Sequence, residues 1–221
     1  MSIDTVTSGR RDRNMQAKRD RIFAAAAELF AERGYEAVTT REISERADVA
    51  AGTLFRYASS KVELLLMVFN EQFRVSLEDG RREAAKAGDV IDALLAVVSP
   101  ILRNARVRPE DAAAYQRELV FGPQAEQYRA EGMDLVRQTE RALADILRAE
   151  ALRQGAAVAP DAADLAARSV FAAVHLDVAR IAATPPTTAP DRGADIEPDD
   201  DLRRQLRQIV TGFLAESDER N

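Results

Sequence analysis

The sequence predicts an all-α protein, and three observations carry that expectation. Alanine, the strongest helix former, occurs 41 times in 221 residues. Apolar side chains recur at helical spacing over long segments, and no stretch shows the alternation of a half-buried strand. Prolines cluster between the apolar segments rather than inside them. The length fits one large domain or a small module on a larger one, and either is long enough to bury a core. The chain contains no cysteine and one histidine. Disulfides, zinc fingers and thiol nucleophiles are therefore excluded, and neither a metal site nor a cofactor is expected.

The elements follow in order. Residues 1–13 are polar and read as a flexible basic arm. A first helix runs from about Asn14 to Arg33 with Ile22, Phe23, Ala26, Leu29 and Phe30 on one face, and Gly34 closes it. Thr39 and Glu42 form a capping box ahead of a short helix with Ile43 and Ala47 inward. A second short helix spans about Ala50 to Tyr57. Ser60 and Glu63 then cap a helix that continues to about Lys86, weakened at Gly80. A further helix covers Val90 to Asn104, with a kink expected at Pro100. Pro109, Pro123 and Pro160 suit first helical positions and predict helices over 109–121, 123–154 and 160–183. Residues 184–198 hold four of the eight prolines and read as a loop. The last helix, about Asp199 to Ser217, carries the stripe Leu202, Leu206, Ile209, Val210 and Phe213.

Charge is informative only by position. The net charge of −6 and pI near 5.1 argue against a nucleic-acid binder if charge is spread evenly. It is not. Residues 1–61 hold eleven basic and nine acidic side chains, whereas 62–221 hold twenty and twenty-eight. Between Gly9 and Arg21 there are six basic residues and two acidic ones, a distribution suited to following phosphates. The longest uncharged apolar runs, such as Ala93 to Ile101, are far short of the roughly 20 residues of a membrane span. The first fourteen residues lack the apolar core of a secretory signal. No membrane partner is expected, and the location expected is cytoplasmic.

The stretch Thr40 to Ser59 carries function. Two helices too short to be stable alone are worthwhile only as a packed pair. Ile43, Ala47, Val49 and Leu54 fall where a helix-turn-helix needs its internal contacts, and Ser44 is small where the helices cross. Asp48 occupies the turn, where a positive φ is tolerated by few residues besides glycine. The second helix then presents Ala50, Ala51, Thr53, Phe55, Arg56 and Tyr57 outward, as a helix entering the major groove does.

Three segments, Ala24 to Tyr35 (AAAAELFAERGY), Thr39 to Val49 (TTREISERADV) and Gly52 to Leu64 (GTLFRYASSKVEL), resemble the DNA-binding domain of the TetR family of transcriptional repressors. The resemblance covers the first third of the chain. It implies a three-helix DNA-binding domain over 14–61 and a larger helical effector-binding and dimerisation domain over 62–221. It further implies a homodimer that binds a palindromic operator in double-stranded DNA and leaves it when a small molecule fills the bundle. By position, Thr40 and Arg41 match phosphate contacts at a helix start, Thr53 a backbone or base contact, and Lys61 a further phosphate contact. Gly52 completes this surface. Phe55 stands where tyrosine is common, Tyr57 where histidine is common, and Ala50 and Ala51 where serine and lysine often occur. These departures shift base reading to Arg56, Thr53, Arg41 and methyl contacts.

The bundle's functional residues follow from its apolar faces. An effector is expected to be largely apolar and to touch Phe69, Phe73, Leu94, Val98, Tyr115, Leu119, Val136, Phe171 and His175. Tyr115 to Glu118 read as a partly exposed helix face or a pocket rim, and Asp177 with Arg180 as a local ion pair. In the resembling family the last two helices form the dimer interface, which points to Val170, Val174, Leu202, Leu206, Ile209, Val210 and Phe213. The partner of that last stripe is either the chain's own core or a second subunit. No Ser/His/Asp set, phosphate-binding glycine loop or metal-ligand spacing is present, so no enzyme is expected. Two other readings stay open at this point: an all-helical protein–protein adaptor without operator binding, and a carboxylate-dependent helical enzyme.

Overall fold

In a computed structural model, the described backbone covers residues 4–123, 127–157, 159–183 and 200–218, with side chains described over 13–215 of those spans. Nine helices and no strand make up these residues: α1 (Asp4–Arg33), α2 (Thr40–Arg46), α3 (Ala51–Leu54), α4 (Lys61–Ala84), α5 (Val90–Val107), α6 (Pro109–Phe121), α7 (Gln127–Arg153), α8 (Ala162–Ala183) and α9 (Asp200–Asp218). None of them is long and apolar enough to cross a membrane.

Caps set most boundaries. The Thr39 hydroxyl accepts the Glu42 N–H, and the Glu42 carboxylate accepts the Thr39 N–H, so the capping box is complete. Gly34 closes α1 at φ +82° with its N–H on the Phe30 carbonyl. Ser60 caps α4, but Glu63 reaches one residue further back than a capping box does, to the Ser59 N–H at 2.6 Å. Asp89 caps α5 through the Asp92 N–H. Pro109 opens α6.

Several expectations change. The segment expected to be a flexible arm is helical from Asp4 onward; an existing helix extends cheaply once nucleated, and Arg10 to Lys18 is rich in good helix formers. Residues 1–3 and the expected loop at 184–198 lie outside the described residues. Pro123 follows the extended Gly122 that ends α6 and does not open α7. Pro160 sits in a turn closed by the Ala162 N–H on the Ala159 carbonyl, two residues before α8. Pro100 lies inside α5, which runs on to Val107. Gly80, expected to weaken α4, is instead a contact point. A Cβ there would lie 2.7–2.8 Å from the carbonyls of Val97 and Ala96, beside the Ala96 oxygen that Pro100 has no N–H to satisfy.

Two apolar cores result. The first joins Ile22, Leu29, Phe30, Ile43, Leu54 and Ala58 to Leu64–Val68 of α4, with Ala114 and Tyr128 reaching in from α6 and α7. The second fills the bundle with Leu94, Val98, Leu143, Leu147, Val170 and Leu206 among others. Helix α4 serves both, so the cut expected after Lys61 falls before residues that complete the first core.

Candidate nucleic-acid interface and internal cavity

Helices α2 and α3 are seven and four residues long. Their pairing rests on Ile43, Ala47 and Leu54, each buried, and on Ser44, buried with its hydroxyl donating to the Arg41 carbonyl. Asp48 holds the turn at φ +50°, the left-handed conformation its position demands. Helix α3 is shorter than the eight residues expected. Its start at Ala50 has no side-chain cap, and Gly52 lies inside it, so little holds a longer helix together. The chain continues as a turn, with the Tyr57 N–H on the Leu54 carbonyl.

This arrangement turns one face outward. Arg41, Ala50, Ala51, Gly52, Phe55 and Arg56 are exposed, while Thr40, Thr53, Tyr57 and Lys61 are half-buried. Phe55 leaves 47% of its surface in solvent. The domain's other cations are mostly engaged: Arg33 with Glu42 at 2.7 Å, Arg41 with Glu45 at 2.8 Å, Arg46 with Glu28 and Glu32, and Arg21 with Asp48. The Glu42 carboxyl is held down to about 2 by Arg33 and Thr39, so this cap stays anionic. Arg56 meets no carboxylate among the described residues. The Lys61 ammonium donates to the Glu36 carbonyl at 3.1 Å and lies 4.3 Å from the centre of the Tyr35 ring. It is positioned but not neutralised.

A cavity of about 80 Å³ opens in the bundle between α4, α5, α6 and α8. Six of the nine residues expected to meet an effector line it: Phe69, Phe73, Tyr115, Leu119, Phe171 and His175. Leu94, Val98 and Val136 do not; they are buried in the second core. Gln116, from the segment expected to be a helix face or pocket rim, also lines it, whereas the polar residues Gln72, Ser76 and Asn104 were not expected there. Gln72 and Ser76 interrupt the face of α4 that carries Phe69 and Phe73, and that break in an apolar stripe was the available signal.

The cavity connects to the outward face. The Tyr115 hydroxyl, which burial keeps protonated by raising its pKa, donates to Asn70 Oδ1 at 2.8 Å. Asn70 Nδ2 donates to the Tyr128 carbonyl at 2.7 Å, and the Tyr128 hydroxyl to the Tyr57 carbonyl at 3.2 Å, just past α3. Asn70 and Tyr128 are both buried. A second joint lies at the start of α6. Asp111 Oδ1 accepts the Tyr35 N–H at 2.8 Å, and the Arg108 guanidinium donates to the Ala31 carbonyl. Burial raises the Asp111 pKa against the pull of that hydrogen bond and of Arg108.

The residues expected at the dimer interface are mostly spent inside the chain. Val170, Val174, Leu202, Leu206, Val210 and Phe213 are at most 5% exposed in the single chain, and Ile209 is half-buried against the same core. Side chains with so little surface left have almost nothing to bury against a partner. The correction has a simple cause: an apolar stripe says that a face is covered, not by what.

A short helix pair with an outward second helix, a left-handed turn residue and an unpaired arginine defines a helix-turn-helix module on a helical bundle. The comparisons agree. Residues 22–68 match the family model for bacterial regulatory proteins of the tetR family. The chain is 36% identical over 104 residues to the transcriptional repressor KstR of Mycolicibacterium smegmatis, covering 47% of this chain and 51% of that one. With KstR of Rhodococcus jostii the identity is 33% over 123 residues, or 54% and 57% of the two chains. The matches thus span about half the length of these relatives. In fold, the chain is similar to Thermus thermophilus FadR, a TetR-family repressor solved with lauroyl-CoA, at TM-score 0.62 and 23% identity over 89% of this chain and 93% of that one. Residues 22–68 are thus similar to the module of the tetR family of bacterial regulatory proteins, and the chain as a whole shares its fold with Thermus thermophilus FadR.

Proposed function

We propose that the protein is a transcriptional repressor that binds a palindromic operator as a homodimer and is released by a small, largely apolar effector. The observation that carries this is the face of α3, where Phe55 and the unpaired Arg56 stand exposed beside Thr53, Tyr57 and Lys61. An adaptor has no need of such a face, and the relatives reported above are named as repressors. Thr40, Arg41 and Lys61 hold phosphates; Arg56 and Thr53 read base edges; Phe55, Ala50 and Ala51 offer apolar contact to thymine methyls, and Gly52 allows close approach. As a regulator on the chromosome, the protein acts in the cytoplasm.

The dimer contact falls on the outward faces of α8 and α9. Leu165 and Leu176 are 56% and 51% exposed, and Ala172 and Ala179 share their face. On α9, Gly212 sits inside the helix with nothing among the described residues within 4 Å of an added Cβ. Glycine there costs the helix about 1 kcal/mol, and a second subunit approaching closely explains it. Two modules related by such an axis read half-sites one DNA turn, about 34–36 Å, apart. The effector occupies the cavity beneath Tyr115. At about 80 Å³ this space is smaller than the roughly 300–1,000 Å³ of ligand clefts, so filling it displaces the surrounding helices and disturbs the operator-binding geometry.

Arg56→Ala and Lys61→Ala test the docking in a salt titration of operator binding. Arg56→Ala is expected to cost about 1–3 kcal/mol and relax sequence preference, while Lys61→Ala weakens all sequences alike and lowers the salt slope by about one. If both variants bind a palindrome as the wild type does, the assignment is wrong.

A further inference from the structure

The cavity's chemistry narrows what it can hold. No Asp, Glu, Lys or Arg is among the residues lining it, so an ionised group inside would be desolvated without a counter-charge. Its walls carry two ring pairs, with Phe69 stacked on Tyr115 at 5.5 Å and Phe171 edge-on to His175 at 4.8 Å. Most of the polar lining is already used. The Tyr115 hydroxyl donates to Asn70, and Ser76 Oγ donates to the Gln72 carbonyl while accepting from Asn104 Nδ2. Gln72 and Asn104 are themselves exposed and mark the solvent side.

His175 differs. The Gln116 side-chain nitrogen lies 3.0 Å from the His175 carbonyl and 2.6 Å from His175 Nδ1. A carbonyl oxygen only accepts, so the amide nitrogen of Gln116 faces it, and the same NH2 group then donates to Nδ1 as well. With Nδ1 accepting, the neutral ring carries its proton on Nε2, for which no partner exists among the described residues. Burial lowers the His175 pKa and so keeps the ring neutral.

We infer that the cavity takes an uncharged, largely apolar molecule bearing one hydrogen-bond-accepting oxygen, to which His175 Nε2–H donates. Gln116 is the positioning residue that fixes the tautomer. The inference rests on reading the cavity as the effector site and adds the ligand's chemical class. It also says that when a ligand carries a charged portion, that portion stays outside the cavity.

The test exploits the single histidine of the chain, whose ring nitrogens give one set of signals when histidine is labelled with nitrogen-15. The probes are 2-octanone, octane and octanoate, titrated into the full-length protein at neutral pH. In the free protein the proton is expected on Nε2, and 2-octanone is expected to move the Nε2–H signal. The ketone should bind about two- to tenfold more tightly than octane, the range of one neutral hydrogen bond. Octanoate should bind about a hundredfold or more weakly than the ketone. His175→Phe, or His175→Leu if the phenylalanine variant does not fold, should erase the preference for ketone over alkane. Gln116→Leu should let the proton distribute between both ring nitrogens. A proton on Nδ1 in the wild type, octanoate binding as tightly as the ketone, a preference that survives loss of His175, or no binding of any probe would each overturn the inference. Operator binding is measured on the same preparation: if it persists while the ligand chemistry fails, only this inference falls. If the ligand chemistry holds and no operator is bound, the repressor reading falls instead.

Discussion

His175 is a neutral imidazole at the edge of an apolar cavity, fixed by an amide 59 positions earlier in the chain. Its folded pKa lies below the ordinary 6.5 because burial disfavours the charged ring. Between 6.5 and that lower value the unfolded chain binds a proton the folded one does not, so stability falls as pH falls through this window. With no other histidine to titrate there, the wild-type melting temperature should drop more between pH 7.5 and 5.5 than that of His175→Asn. Parallel curves would show that the ring titrates alike in both states. The histidine stood out in the sequence as a lone polar residue among Val174, Leu176 and Val178. Its partner did not, because nothing in Tyr115 to Glu118 says which residue of that helix faces α8. Local chemistry was legible where both partners lie within a turn, as with Thr39 and Glu42 or Asp177 and Arg180.

Helix packing was legible as faces and opaque as partners. The stripe on α9 is real and buried, yet it covers this chain's own core, and Gly80 and Gly132 prove to be crossing points. At Gly132 a Cβ would come within 2.7 Å of Asn70 Oδ1 and of a Leu119 methyl, and 3.2 Å from the Tyr115 hydroxyl. That is the centre of the path from cavity to α3. Gly132→Ala should therefore push Asn70 off Tyr115 and Tyr128, destabilising the fold by about 1–3 kcal/mol as overpacked cores do. If the path carries coupling, this variant and Asn70→Leu should also shrink the effector's influence on operator affinity. Effector titrations of operator binding measure this; two variants that fold stably and respond as the wild type does would remove this path from the mechanism.

At the scale of the whole molecule, the acidic total conceals a division of labour. The carboxylates concentrate in the bundle, whereas the helix-turn-helix module is mildly basic, and Arg56 is among the cations that meet no carboxylate among the described residues. Fold class and the location of the module were legible because helix caps and helical spacing of apolar residues are local signals. The proposed dimer surface was not, since an outward face of Leu165, Ala172, Leu176 and Ala179 looks in sequence like any mixed helix. A homodimeric repressor is a two-fold reader of DNA. Selecting bound fragments from random duplex DNA and footprinting them, with Leu176→Arg run alongside, tests this. The wild type is expected to protect two inverted half-sites about one helical turn apart, and Leu176→Arg, driven toward monomer by a charge at the proposed contact, to lose the paired footprint. Enrichment of no palindrome by a folded wild-type protein would contradict it.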